Sequence, residues 1–148
     1  MTKPLATDII ELPCAYGNLR RVARIVTRIY DQELKRVGLE ISQHVLLVAL
    51  DKAGEVNQKW LSTVFAMDST TLTRTLGRLR KHGWVRSQPG SDKRECLFSL
   101  TTAGKRKLAE ARPHWERAQQ TLRKALSDQG WKAMRETVSM MTKTRAAA

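Results

Sequence analysis

Residues 68–82 read DSTTLTRTLGRLRKH, and the angular placement of their side chains decides the fold. At about 100° per residue, Leu72, Leu76 and Leu79 fall within roughly 60° of one another as a single apolar stripe. Opposite them project Thr70, Arg74, Gly77 and Lys81, flanked by Thr73 and Arg78. Asp68 is a favoured N-cap type and Gly83 a favoured stop, so the pattern predicts one helix with a buried side and a basic, hydroxylated side.

Upstream, Asn57 is placed to cap a helix running through Trp60, Leu61, Val64 and Phe65. A short helix, a tight connection and a second helix with a basic polar face make helix-turn-helix organisation. Downstream, Trp84–Gln88 and Glu95–Leu100 read as two short strands around the turn Pro89-Gly90-Ser91-Asp92, with Lys93 and Arg94 directly after it. In the second strand Cys96, Phe98 and Leu100 alternate with Glu95, Leu97 and Ser99, which predicts a core-facing Cys96. The hairpin is a wing beside the basic helix.

Such a helix fits only the major groove of B-DNA, where its N-terminal residues meet base edges. Ser69, Thr70 and Thr73 are short enough for close approach to bases and phosphates, and the planar fork of Arg74 matches guanine O6 and N7. Arg78 and Lys81 are assigned to phosphates, which fix register without carrying sequence information. Arg94 suits the negative potential of a narrow minor groove.

The rest of the chain is mainly helical. Leu19, Val22, Val26, Ile29, Tyr30, Leu34 and Val37 predict an amphipathic helix from Asn18 to Gly38, behind an N-terminal arm. The row Arg20, Arg24, Arg28 on its other side is read as a solvated face or a subunit contact. Ser42 is expected to cap a short buried helix, Val45 to Leu50. Thr101 or Thr102 caps a long helix in which Pro113 predicts a kink near Arg112, and Ser127 or Asp128 starts a last helix carrying Trp131, Met134, Val138 and Met141. Trp60, Trp115 and Trp131 stand at core spacing. The apolar stripes of the first and last helices exceed what a small winged core could cover, which predicts a homodimer.

Composition narrows the function. The 148 residues carry 27 Lys and Arg against 14 Asp and Glu, a net charge of +13, which attracts polyanions. Between Asp68 and Arg94 there are seven basic residues and two acidic ones. The longest uncharged apolar-rich stretch, Ile41 to Leu50, is too short for a membrane span, and residues 1–13 lack a basic start followed by an apolar core, so a secretory signal is not expected. The two cysteines, Cys14 and Cys96, fit a reducing compartment, so a cytoplasmic protein is expected. There is no Gly-rich phosphate loop, nucleophile elbow or paired His ligands, so neither an enzyme nor a cofactor or metal is expected. A protein compacting DNA without reading sequence could use the same basic surface and is the alternative. Cys14, beside the start of the first helix and near Arg20 and Arg21, is a candidate redox residue.

Residues 61–108, LSTVFAMDSTTLTRTLGRLRKHGWVRSQPGSDKRECLFSLTTAGKRKL, resemble the winged helix-turn-helix core of the MarR family of bacterial transcriptional regulators. The matching features are D-S-T-T-L-T-R at 68–74, L-x-x-L-x-x-x-G-x-V at 76–85, D-K-R at 92–94 and S-L-T-x-x-G at 99–104. Residues 13–43 are similar to the first helix of one branch of that family. The resemblance implies a mainly α fold with a small β-hairpin: an arm and dimerisation helix over 1–40, the DNA-binding core over 41–101, and C-terminal dimerisation helices over 102–148. It also implies homodimers on pseudo-palindromic DNA, often repressors released by a small aromatic ligand or by cysteine oxidation. By position, Ser69, Thr70, Thr71, Thr73 and Arg74 match the head of the reading helix. Asp92 and Arg94 match the wing pair, with Arg94 entering the minor groove.

Overall fold

The structure is a computed structural model that describes residues 14–92 and 95–146. Helix α1 (Ala15–Leu34) runs into a 3-10 turn that ends at Gly38, whose left-handed backbone reverses the chain into α2 (Ile41–Ala53). Next come β1 (Val56–Asn57), α3 (Gln58–Phe65), α4 (Ser69–Lys81), β2 (Val85–Pro89), β3 (Cys96–Leu100) and α5 (Thr102–Ala146). Leu34, Leu39, Leu46, Leu47, Leu50, Leu61, Leu72, Leu76 and Leu79 meet, fully buried, in one core. Each such burial favours folding by about 1.5–3 kcal/mol, so the apolar stripes of α1 to α4 position the basic helix.

Several local expectations are corrected. Helix α2 begins at Ile41, ahead of Ser42. Gln43 Oε1 accepts from the Glu40 N–H at 3.0 Å and Asp31 Oδ1 from the Ile41 N–H at 2.7 Å, so those donors are met without Ser42. The sheet has three antiparallel strands in the order β1-β3-β2, because Val56 and Asn57 pair with Phe98 and Leu97. Cys96 is exposed. It pairs with Pro89 at the turn end of the hairpin, beyond the stretch that β1 covers, whereas Phe98 and Val85 are buried. Ser99 is buried too, and its Oγ accepts from Arg86 Nε at 2.9 Å across the hairpin. Trp60 is 40% exposed, not core, while Trp115 and Trp131 pack partly buried against the core.

In α5 the backbone keeps helical dihedrals at Pro113, and the departure falls at Ser127 (φ 57°, ψ 173°). Proline removes one donor but its fixed φ is helical, so the turn survives locally. At Ser127 the chain restarts, with Ser127 Oγ accepting weakly from the Gly130 N–H at 3.5 Å. The other end of α5 is fixed tightly. Thr101 Oγ1 donates to the Gly83 carbonyl at 2.6 Å and accepts from the Gly104 N–H at 3.0 Å, so Thr101 rather than Thr102 caps the helix. A Cβ on Gly104 would lie 2.2 Å from the Trp84 carbonyl oxygen. That close approach is the physical content of the T-x-x-G signature.

Helix α1 packs on α5 and α2 through Val26, Ile29, Tyr30 and Leu34. Its N-terminal half leaves Tyr16, Leu19, Val22 and Ile25 exposed, as α5 leaves Val138, Met140 and Met141 near its end. No helix among the described residues is long and apolar enough to cross a membrane.

Candidate nucleic-acid interface

Asp68 builds the start of α4. Its carboxylate accepts from the Thr71 N–H at 2.8 Å and the Thr71 hydroxyl at 2.7 Å. These two hydrogen bonds hold the Asp68 carboxyl below its usual pKa, and a negative charge at a helix N-terminus is itself favourable. The connection from α3 is short: Ala66 takes a left-handed backbone (φ 50°), and Ser62 Oγ donates to the Met67 carbonyl at 2.7 Å.

Leu72, Thr75, Leu76 and Leu79 are the buried side of α4, and the Thr75 hydroxyl donates to the Thr71 carbonyl at 2.9 Å. Ser69, Thr70, Thr73, Arg74, Gly77, Arg78 and Lys81 are all exposed on the rest of the helix. The side chains of Arg74 and Lys81 make no hydrogen bond or ion pair among the described residues. Arg78 lies 3.6 Å from the Glu40 carboxylate, with both side chains about half exposed, so the pair is weak and easily exchanged for another anion. Thr71 differs from its neighbours: half-buried and bonded to Asp68, it belongs to the cap.

The wing loop is closed by two backbone bonds, Gly90 N–H to the Glu95 carbonyl and Glu95 N–H to the Asp92 carbonyl, each 2.8 Å. Asp92 is exposed there. Lys93 and Arg94 lie outside the described residues.

Sequence reasoning missed Gln58 and Lys59, on the first turn of α3. Gln58 Nε2 donates to Thr73 Oγ1 at 2.8 Å, while Lys59 is exposed. Asn57 Oδ1 accepts from the Trp60 N–H at 2.8 Å as expected, and its Nδ2 donates to the Glu95 carboxylate. These residues, with Asp92 and Cys96, line a cleft of about 440 Å³ between α3 and the wing base. The available signal was positional: a polar residue just after an N-cap, at the head of the supporting helix, faces whatever the next helix faces. Cys14 is exposed at the start of α1. Among the described residues no cluster of His, Cys, Asp and Glu could hold a metal.

The MarR family model matches residues 39–96. The HTH-type transcriptional regulator YwoH of Bacillus subtilis is 34% identical over 92 residues, spanning 62% of this chain and 67% of its own. Among solved structures, the transcriptional regulator MOSR of M. tuberculosis in complex with DNA is 29% identical and superposes with a TM-score of 0.79, over 90% of this chain and 97% of that one. BpsR of Bordetella bronchiseptica, whose structure concerns regulation of its DNA binding by 6-hydroxynicotinic acid, shares the fold at 23% identity and a TM-score of 0.77, over 88% and 95% of the two chains. The relatives are regulators, not enzymes. Matched in sequence through its central part and in fold along most of its length, the chain belongs to the MarR family, as a DNA-binding transcriptional regulator.

Proposed function

We propose that this regulator acts in the cytoplasm as a homodimer that reads a pseudo-palindromic operator and represses, with release by a small aromatic ligand or by oxidation at Cys14. One observation carries the reading: Ser69, Thr70, Thr73 and Arg74 stand exposed on one side of a helix whose other side is locked by Leu72, Leu76 and Leu79. In this reading Arg74 meets a base edge, while Arg78 and Lys81 meet phosphates. Arg94 enters the minor groove, with Asp92 and Lys93 beside it. Thr71 contributes through the cap. Residues 1–40 and 102–148 pair the two copies, and 41–101 form the DNA-binding unit. Exposed apolar side chains on α1 and at the end of α5 support the pairing, since a lone chain has no cover for them.

Selection of bound duplexes from a random pool tests it. A dimer holds two reading helices about one DNA turn apart, so the enriched sequence should be two inverted half-sites ~10 bp centre to centre. Enrichment of no sequence would return the protein to unspecific compaction.

A further inference from the structure

Lys107, in the second turn of α5, gathers three parts of the chain around one ammonium group. Its Nζ donates to the Val37 carbonyl at 3.1 Å and to the Glu110 carboxylate at 2.6 Å, and it lies 5.2 Å from the centroid of the Trp84 ring. We infer that Lys107 is a positioning residue for sequence reading: it fixes the C-terminal end of α4 against the turn between α1 and α2, and so the angle at which α4 meets DNA. The inference rests on the proposed operator reading by α4 and goes beyond it by naming a residue that acts through Trp84.

Trp84 is the link to α4. Its N–H donates to the Leu79 carbonyl at 3.0 Å around the left-handed Gly83 (φ 72°), which ties it to the last turn of that helix. Its ring stacks on that of His82, the C-cap of α4, with centroids 4.4 Å apart and planes 13° apart. Its carbonyl accepts from the Thr101 N–H at 3.0 Å, at the head of α5. Trp84 and the end of α4 therefore move together. Helix α4 is a rod of 13 residues, so a tilt at Leu79 also displaces Thr70 and Arg74.

Val37 is the link to the other half of the molecule. It ends the 3-10 turn after α1, where carbonyls run out of helical donors and a nearby cation is favourable. Lys107 reaches that carbonyl from α5, so the α1–α2 turn and α5 share one point beside Trp84. The charge is well suited to the place. The Lys107 side chain is only 17% exposed, and an indole face attracts an ammonium more strongly where water is largely excluded. Lysine's donors radiate from one atom, so a single group serves a carbonyl, a carboxylate and a ring, whereas the flat arginine fork points its donors in one plane. Glu110, half exposed and three residues on, holds the ammonium from the solvent side.

Fluorescence anisotropy of the full-length protein on the selected operator and on a scrambled duplex tests the inference with Lys107→Met, which keeps an unbranched apolar stem. Each protein is measured well below its urea midpoint, so the folded fraction is complete and lost stability alone leaves affinity unchanged. The lost positive charge weakens both duplexes alike and cancels in their ratio. Lys107→Met is expected to lower the operator-to-scrambled affinity ratio about three- to tenfold. Glu110→Gln, at an exposed position, is expected to lower it in the same direction and decides the matter if Lys107→Met does not fold. A ratio equal to that of wild type in the deciding variant overturns the inference and leaves the operator reading standing. If wild type itself prefers neither duplex, the operator reading fails and the inference falls with it.

Discussion

The side-chain amide of Gln58 donates to the hydroxyl of Thr73 at 2.8 Å, joining the first turn of α3 to the exposed face of α4. Helix α4 is therefore held by more than its leucine stripe: a polar contact on the solvent side fixes its rotation about its own axis. A typical intramolecular hydrogen bond contributes about 0.5–1.5 kcal/mol. Gln58→Ala should then lower folding stability by about 0.5–1.5 kcal/mol and, by loosening the rotation of α4, weaken operator binding as well. Anisotropy and urea titration of the same preparation check this; an affinity equal to wild type would show that the contact does not orient the helix.

Gly104 cannot carry a side chain where it stands. A Cβ there would meet the Trp84 carbonyl at 2.2 Å and Leu100 Cδ1 at 2.6 Å, and backbone oxygen cannot step aside cheaply. Gly104→Ala should reduce stability by about 1–3 kcal/mol, although alanine favours helix elsewhere. Urea unfolding reads the loss, and an unchanged midpoint would refute the close packing of α5 on Trp84 and on the end of β3.

Burial pushes the His44 imidazole below its ordinary pKa, because the charged form is desolvated. In mildly acidic solution the unfolded chain takes up a proton at this position that the folded chain refuses, so stability falls as pH falls. The contribution is complete above the ordinary histidine value of about 6.5 and is lost as the pH drops through the lower folded value. His44→Phe keeps a ring beside Trp115 and removes the titration. Its urea midpoint should therefore drop less than that of wild type between about pH 7.5 and about pH 5.5, and equal drops would contradict the assignment.

Leu19, Val22 and Ile25 are each about half exposed on one stretch of α1. If a second copy covers them, Val22→Asp buries an unpaired carboxylate at the interface, at a cost of several kcal/mol. Sedimentation velocity should show a dimer for wild type and a shift to monomer for the variant. A monomeric wild type would remove the two-half-site picture.

Helix α4 was legible because Leu72, Leu76 and Leu79 repeat at helical spacing and Asp68 marks their start. The two residues of β1 are too few to show alternation, so the third strand appears only when Val56 is seen opposite Phe98. Alternation told which residues of β3 share a face but not where along the strand the packing ends, hence the exposed Cys96. The missing donor of Pro113 suggests a kink, yet the non-helical backbone falls at Ser127, itself a candidate helix start by sequence. His44 and Trp115 bring their rings together from positions far apart in the chain, and no local pattern announces the pair.

The central claim is that the exposed face of α4 reads sequence. Fluorescence anisotropy against the selected operator and a scrambled duplex, at near-physiological salt, tests it with wild type and Arg74→Ala side by side. The account predicts that wild type prefers its operator by at least ~10³-fold, and that Arg74→Ala loses about 1–3 kcal/mol of that preference while still binding both duplexes. Equal, salt-sensitive binding of wild type to the two duplexes, or a preference untouched by the substitution, would contradict it.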